Sequence, residues 1–85
     1  VKIFLEFDRG KILGIKIFGD FFLYPENAIE SIEKDLAGKK IVEKEIIECV
    51  QKTVLKKNIE LFGLTPQGLS TAILMAKESG ENAGI

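Results

Sequence analysis

Two runs of alternating apolar and polar residues, separated by one short turn, constrain the fold of this chain more than any other feature. Residues 1–8 (VKIFLEFD) and 11–18 (KILGIKIF) both place apolar side chains on every second position, which is the period of a β-strand. Between them, Gly10 after Arg9 can adopt positive φ without steric cost, as a tight hairpin turn requires. The sequence therefore predicts an antiparallel hairpin. The two buried faces are expected to comprise Val1, Ile3, Leu5 and Phe7 on one strand and Leu13, Ile15 and Ile17 on the other.

The next segment places a carboxylate inside the most aromatic stretch of the chain. Gly19 and Asp20 interrupt the second strand, and residues 21–24 (FFLY) follow at once. Burying an unpaired charge costs several kcal/mol or forces its protonation. Asp20 is therefore expected either to cap backbone N–H groups at a bend or to lie on a contact surface. Residues 21–24 can pair as a short third strand, which makes an antiparallel meander.

Helical signals dominate the second half of the chain. Pro25 suits the first turn of a helix, and Gly38 ends that run as a left-handed cap. A second helix is predicted over residues 42–56, followed by a connector at 58–64 with some extended character. A last helix is predicted from the Thr65-Pro66 start signal to about Ser79, with Gly80 ending it and a short tail after it. The order predicts an α+β fold, in which a two- to three-stranded antiparallel meander is followed by about three helices packed on one face. All 85 residues are expected to form one domain.

The last helix carries an apolar belt wider than a single stripe. Leu74 and Met75 point away from the expected core face, which comprises Leu69, Ala72, Ile73 and Ala76. Such a belt indicates burial on two sides. Leu74 and Met75 are therefore candidates for contact with another protein, and a central helix enclosed within its own domain is the alternative.

Composition and charge exclude several classes of protein. The chain has 12 basic and 13 acidic residues, interleaved along the sequence, whereas nucleic-acid-binding proteins concentrate positive charge on one face. No apolar run approaches the roughly 18–20 residues that span a bilayer, and no basic, apolar leader opens the chain. A single cysteine cannot form an internal disulfide, which suits a reducing cytosol. We expect a cytoplasmic protein that binds neither nucleic acid nor membrane.

The sequence lacks the usual equipment for catalysis. There is no histidine, which excludes Ser-His-Asp triads and histidine-containing zinc sites. Cys49 lies within a helical stripe without a second cysteine, so a packed, inert thiol is expected. No glycine-rich phosphate-binding motif is present. We therefore expect no catalytic residues, no metal site and no cofactor bound by this chain.

The front half carries a distinctive combination of motifs. Residues 10–12 (GKI) open an alternation that runs through residue 17, residues 19–22 (GDFF) follow it, and residues 36–38 (LAG) close the next predicted helix. This combination resembles the C-terminal accessory domain of lipoate–protein ligases, in which the motif precedes a helix with a Leu-x-Gly ending. The resemblance covers roughly residues 1–50, and beyond Lys52 the chain offers only compatible helices.

The resemblance implies a part in protein lipoylation. Such ligases use ATP and Mg²⁺ to form lipoyl-AMP, then transfer the lipoyl group to a lysine of acceptor domains in oxoacid dehydrogenase E2 subunits and the glycine cleavage H protein. A large catalytic domain, in some organisms a separate subunit, holds ATP, Mg²⁺ and lipoate, and the small domain assists activation. The implied fold is similar to that of sulfur-transfer and iron–sulfur scaffold proteins. The cysteines those scaffolds use are missing here, so their chemistry is not implied.

A contact surface is the role that this resemblance gives to the aromatic corner at residues 19–22. Asp20 would bend the chain, one of the rings of Phe21 and Phe22 would anchor the core, and the other would lie against the large subunit. The partner-binding residues are thus predicted to be Gly19, Asp20, Phe21, Phe22, Leu74 and Met75. Two alternatives remain: both rings belong to the core, or the chain is an adaptor of the same fold that serves another enzyme.

Overall fold

The computed structural model describes residues 1–79 as an α+β fold with four strands and three helices. The elements, in chain order, are β1 (Lys2–Asp8), β2 (Lys11–Phe18), β3 (Phe22–Tyr24), α1 (Ala28–Leu36), α2 (Glu43–Lys57), β4 (Glu60–Phe62) and α3 (Pro66–Ser79). The α+β class predicted from the sequence is confirmed. The predicted helix stop at Gly80 and the tail at 81–85 lie outside the described residues.

The β1–β2 hairpin forms as predicted, but it contains a bulge that changes which residues are buried. The register shifts between Glu6 and Phe7, so Phe7 lies opposite Ile12. This shift leaves Leu13 as the extra residue, and its side chain is exposed while Ile12 is fully buried. The prediction that Leu13 belongs to the buried face is therefore wrong. The same prediction for Val1 is also wrong, since Val1 precedes β1 and is 58% exposed.

The predicted meander is wrong, because β3 does not pair with the hairpin. It pairs with β4 in a separate antiparallel two-stranded sheet, with Phe22 opposite Phe62 and Tyr24 opposite Glu60. Gly63 follows β4 with φ of 78°, and a Cβ there would lie 3.0 Å from the carbonyl oxygen of Asp20. The residue at position 63 must therefore be glycine for the two backbones to approach this closely. The connector at 58–64, for which extended character was predicted, supplies the pairing strand.

Helices α1 and α3 cover one face of the β1–β2 hairpin: α1 packs against β2, and α3 packs against β1. Helix α2 packs against both of these helices. The centre of the core consists of fully buried side chains from every layer: Leu5, Ile12, Ile32, Leu36, Ile46, Leu69 and Ile73. The packing of helices on a single face is confirmed. Among residues 1–79, no helix is both long and apolar enough to cross a membrane.

Two helix boundaries differ slightly from the prediction. Helix α1 begins at Ala28 rather than at Pro25, because the Pro25 carbonyl accepts a 2.9 Å hydrogen bond from Ala28 N–H in a preceding turn. Helix α2 begins one residue late, with exposed Val42 as its N-cap residue. The start of α3 agrees with the prediction, since the Thr65 hydroxyl accepts a 2.9 Å hydrogen bond from Gly68 N–H.

The Thr65 cap gives a direct test of this helix start. We expect Thr65→Ala to lower the free energy of unfolding by about 1 kcal/mol, because one N–H of the first turn loses its partner. Thr71→Ala is the matched control: its hydroxyl donates to the Gln67 carbonyl within the same helix, and its loss should change stability by less than about 0.5 kcal/mol. Urea unfolding measures both variants. Equal losses would contradict the capping role.

Candidate protein-docking surface

The pairing of β3 with β4 creates an exposed aromatic surface, which we call the corner patch and define as Phe22, Tyr24 and Phe62. The rings of Phe22 and Phe62 lie 5.1 Å apart between centroids, as cross-strand neighbours. All three side chains face solvent: Phe22 is 66% exposed, Tyr24 65% and Phe62 45%. Three neighbouring aromatic side chains at such exposure are unusual unless a partner covers them.

Phe21 and Phe22 divide between the core and the surface. Phe21 is half-buried and packs against the hydrophobic core, whereas Phe22 projects outward. The sequence predicted that one of these two rings anchors the core and that the other lies outside it, and the structure has this arrangement. Whether Phe22 contacts a partner stays a prediction.

Asp20 does not act as a cap. Its side chain is exposed, and among residues 1–79 it makes no hydrogen bond or ion pair. The bend instead depends on close backbone packing. A Cβ at position 19 would lie 3.0 Å from Val1 Cα, and the Asp20 carbonyl lies against Gly63. The capping prediction for Asp20 is therefore wrong, and its position on the surface is the alternative that the structure supports.

The two predicted contact residues of α3 occupy different environments. Leu74 is half-buried and packs against the core, so the prediction that it points away from the core is wrong. Its helix lies against β1, which accounts for the wider apolar belt. Met75 is 63% exposed and lines a groove with Val1 and Ile3. Since Gly19 also packs on Val1, Met75 and the bend at Gly19 share one neighbour.

A second aromatic pair lies on the uncovered face of the β1–β2 hairpin. Phe4 and Phe18 meet edge to face, with ring centroids 5.7 Å apart, and Lys2 Nζ lies 5.2 Å from the centre of the Phe4 ring. Both rings are about half exposed. The only sequence signal for Phe4 is that it interrupts the alternation of apolar and polar residues in β1. Phe62 had no signal beyond its place in the connector, because its partner Phe22 is distant in sequence.

The chemistry of the described residues is limited. The buried thiol of Cys49 donates a 3.3 Å hydrogen bond to the Asp35 carbonyl, and burial raises the pKa of this thiol. A raised pKa keeps the thiol protonated and unreactive near neutral pH. Thr53 donates to the Asp35 carboxylate at 2.7 Å, which completes a link between α1 and α2. Within residues 1–79, no cluster of three or more histidine, cysteine or acidic side chains could hold a metal ion.

Together, the fold and the surface define a small α+β module with a cluster of exposed aromatic side chains. Residues 1–73 match the family model of the bacterial lipoate protein ligase C-terminus. The chain belongs to this family.

Two relatives come from one archaeon. The chain is 29% identical over 73 residues to lipoate-protein ligase A subunit 2 of Thermoplasma acidophilum, covering 86% of this chain and 74% of that protein. It also superposes with a TM-score of 0.70, at 28% identity, on a chain from the structure of an archaeal lipoylation system, a bi-partite lipoate protein ligase and its E2 lipoyl domain from the same organism. That match covers 84% of this chain and 77% of the other.

The corner patch can be tested as a surface by comparing two adjacent residues of β3. Leu23 is 3% exposed, and Leu23→Ala should lower the free energy of unfolding by about 2–5 kcal/mol because it leaves a cavity. Phe22→Ala removes only a cross-strand ring contact and should cost less than about 1 kcal/mol. Chemical denaturation gives both values. A loss for Phe22→Ala as large as that for Leu23→Ala would place Phe22 in the core.

Proposed function

We propose that this chain is the non-catalytic accessory subunit of a bipartite lipoate–protein ligase. It docks on a large catalytic subunit and enables ATP-dependent activation of lipoate to lipoyl-AMP, before the lipoyl group is transferred to a lysine of an acceptor protein. The observation that carries this proposal is the family match over residues 1–73. The relative named as subunit 2 of a ligase supports a separate small chain rather than a complete enzyme.

The corner patch is the proposed docking surface. Fully desolvated aromatic side chains dominate the binding free energy of many interfaces. Phe22 and Phe62 are already in contact in the free chain, so docking orders few additional rotamers. Gly19 and Asp20 border this patch at the bend, and Gly19 packs on Val1, which lines a groove with Met75. Phe21 and Leu74 are half-buried against the hydrophobic core, so they offer less area to a partner.

The chain is proposed to act by stabilising one conformation of its partner. Activation requires the lipoate carboxylate and the α-phosphate of ATP to be held in line, and such positioning can remove about 7–11 kcal/mol from a barrier. ATP, Mg²⁺ and lipoate are expected in the large subunit. A docked module can hold the closed state of the loops around them, provided that it binds that state more tightly than the open one.

The acceptors and the compartment follow from the same assignment. Lipoyl domains of oxoacid dehydrogenase E2 subunits and the glycine cleavage H protein are the proposed acceptors, reached through the assembled ligase. The solved relative was studied with an E2 lipoyl domain, which supports the first of these. The lone buried cysteine is compatible with the reducing cytoplasm, where we propose the ligase works.

A reconstitution assay tests the proposed function. The purified large subunit is incubated with lipoate, ATP and Mg²⁺, with and without this chain, and lipoyl-AMP is quantified by mass spectrometry. We expect much faster formation in the mixture, and no ATP consumption by this chain alone. Equal rates with and without the chain would contradict the proposal. Turnover by the isolated chain would contradict it as well.

The docking surface is tested by a matched pair of alanine variants. Phe22→Ala should weaken binding to the large subunit by about 2 kcal/mol, roughly 30-fold in Kd, because it removes an aromatic anchor. Leu55→Ala is the control, since Leu55 is another large apolar residue, 79% exposed, but lies on α2. Its Kd should change less than about twofold. Calorimetric titration measures both, and equal effects would exclude the corner patch as the contact.

A further inference from the structure

The outer edge of β2 is partly closed by the chain itself. Ile12 donates its N–H to the Lys39 carbonyl at 2.9 Å and accepts from Gly38 N–H at 2.7 Å. Further along the same edge, Ile17 N–H donates to Glu33 Oε2 at 2.8 Å, so a side-chain carboxylate takes the place of a neighbouring strand. These groups cannot pair with another strand unless the existing bonds break.

Between Ile12 and Ile17, one residue on this edge has main-chain N–H and C=O groups that lack a partner within residues 1–79. In an antiparallel pair, the N–H and C=O groups of successive residues point alternately toward the partner strand and away from it. Ile17 N–H points away from β1, so the main-chain groups of Ile15 do the same, two residues earlier in the regular stretch opposite Leu5. No group among residues 1–79 pairs with them.

A groove runs along this open position. It has a volume of about 660 Å³ and is lined by residues of β1, β2 and α1, among them Glu6, Gly14, Ile15, Glu30 and Ala37. The side chain of Ile15 belongs to the core, so this residue faces the groove with its main chain. The groove thus offers a donor and an acceptor, spaced as in a strand edge, to an incoming extended segment.

The charges along the groove indicate the character of that segment. Glu6, Glu30 and Lys34 line it, and none of the three has an ion-pair partner among the described residues, so two unpaired carboxylates stand against one unpaired ammonium group. Glu6 Oε1 lies across Gly14, 3.2 Å from where a Cβ at that position would be. Lys16 is already next to Glu33, with Nζ 4.0 Å from Oε1. An occupant with a lysine or arginine would therefore complement the unpaired carboxylates.

We propose that this groove binds an extended, basic segment of the large ligase subunit, which pairs with the main chain of Ile15 and places a cationic side chain at Glu6. The inference rests on the proposed function, because it takes the large subunit as the partner. It adds a second contact, formed by main-chain hydrogen bonds and charge, on a surface separate from the corner patch. Glu33 limits this contact to one position, since it already occupies Ile17 N–H.

Amide hydrogen exchange followed by NMR tests the proposal on the wild-type chain. In the free chain, Ile15 N–H should exchange faster than Ile12 and Ile17 N–H, which are already bonded. On saturation with the large subunit, Ile15 exchange should slow by about tenfold or more, and more than that of the two bonded amides. A complex in which Ile15 exchange is unchanged would overturn this inference and leave the proposed function standing. Failure to form any complex would overturn both.

A charge variant tests the basic character of the segment. Glu6→Gln should raise the Kd for the large subunit by roughly fivefold. Glu48→Gln, which removes an exposed carboxylate from a different groove, should leave it within about twofold. An unchanged Kd for Glu6→Gln, or equal changes in both variants, would overturn the assignment of a cationic partner at Glu6.

Discussion

The hydrogen-bonded pairing of β3 with β4 is the interaction on which the rest of the molecule depends. It connects the end of the hairpin half with the segment between α2 and α3, and it places Phe22 beside Phe62. Two strands of three residues are not stable alone. The pair persists because Leu23, Ile59 and Leu64 are buried around it, and because Gly63 lets the bend at Asp20 come close. The same packing that stabilises this small sheet leaves its aromatic face toward solvent.

Much of the fold was predictable from local signals. The β1–β2 hairpin, the glycine turn at Gly10, the Thr65 cap and the exposed Met75 all follow from periodicity and the known preferences of turns and caps. These features depend on residues close together in sequence. The α+β class followed from the order of the strand and helix signals along the chain.

The parts that were not predictable depend on long-range contacts. Alternation alone cannot reveal a bulge. That Ile12 is buried in place of Leu13 is therefore apparent only from the register of the hairpin. The strand that pairs with β3 was not predictable either, since nothing in the sequences of residues 22–24 and 60–62 indicates that they pair. Asp20 was expected to cap the bend or to lie on a contact surface, because burying an unpaired carboxylate is costly, but backbone packing against Val1 and Gly63 forms the bend without a cap.

The proposed function requires this chain to act on a reaction through shape and binding. Its single thiol is buried with a raised pKa, and no cluster of acidic side chains within residues 1–79 could hold a metal ion. What the surface offers is aromatic area at the corner patch and an open main-chain position at Ile15. Both suit the docking of a large partner whose active conformation needs support. The family match and the T. acidophilum relatives fit this account of the molecule.

The most direct test of the central claim is an experimental structure of this chain bound to the large subunit, from which the area buried at each side chain is measured. We predict that Phe22 and Phe62, now 66% and 45% exposed, become almost fully buried in the interface. An assembled pair in which both rings remain exposed to solvent, with the contact formed elsewhere, would contradict the account.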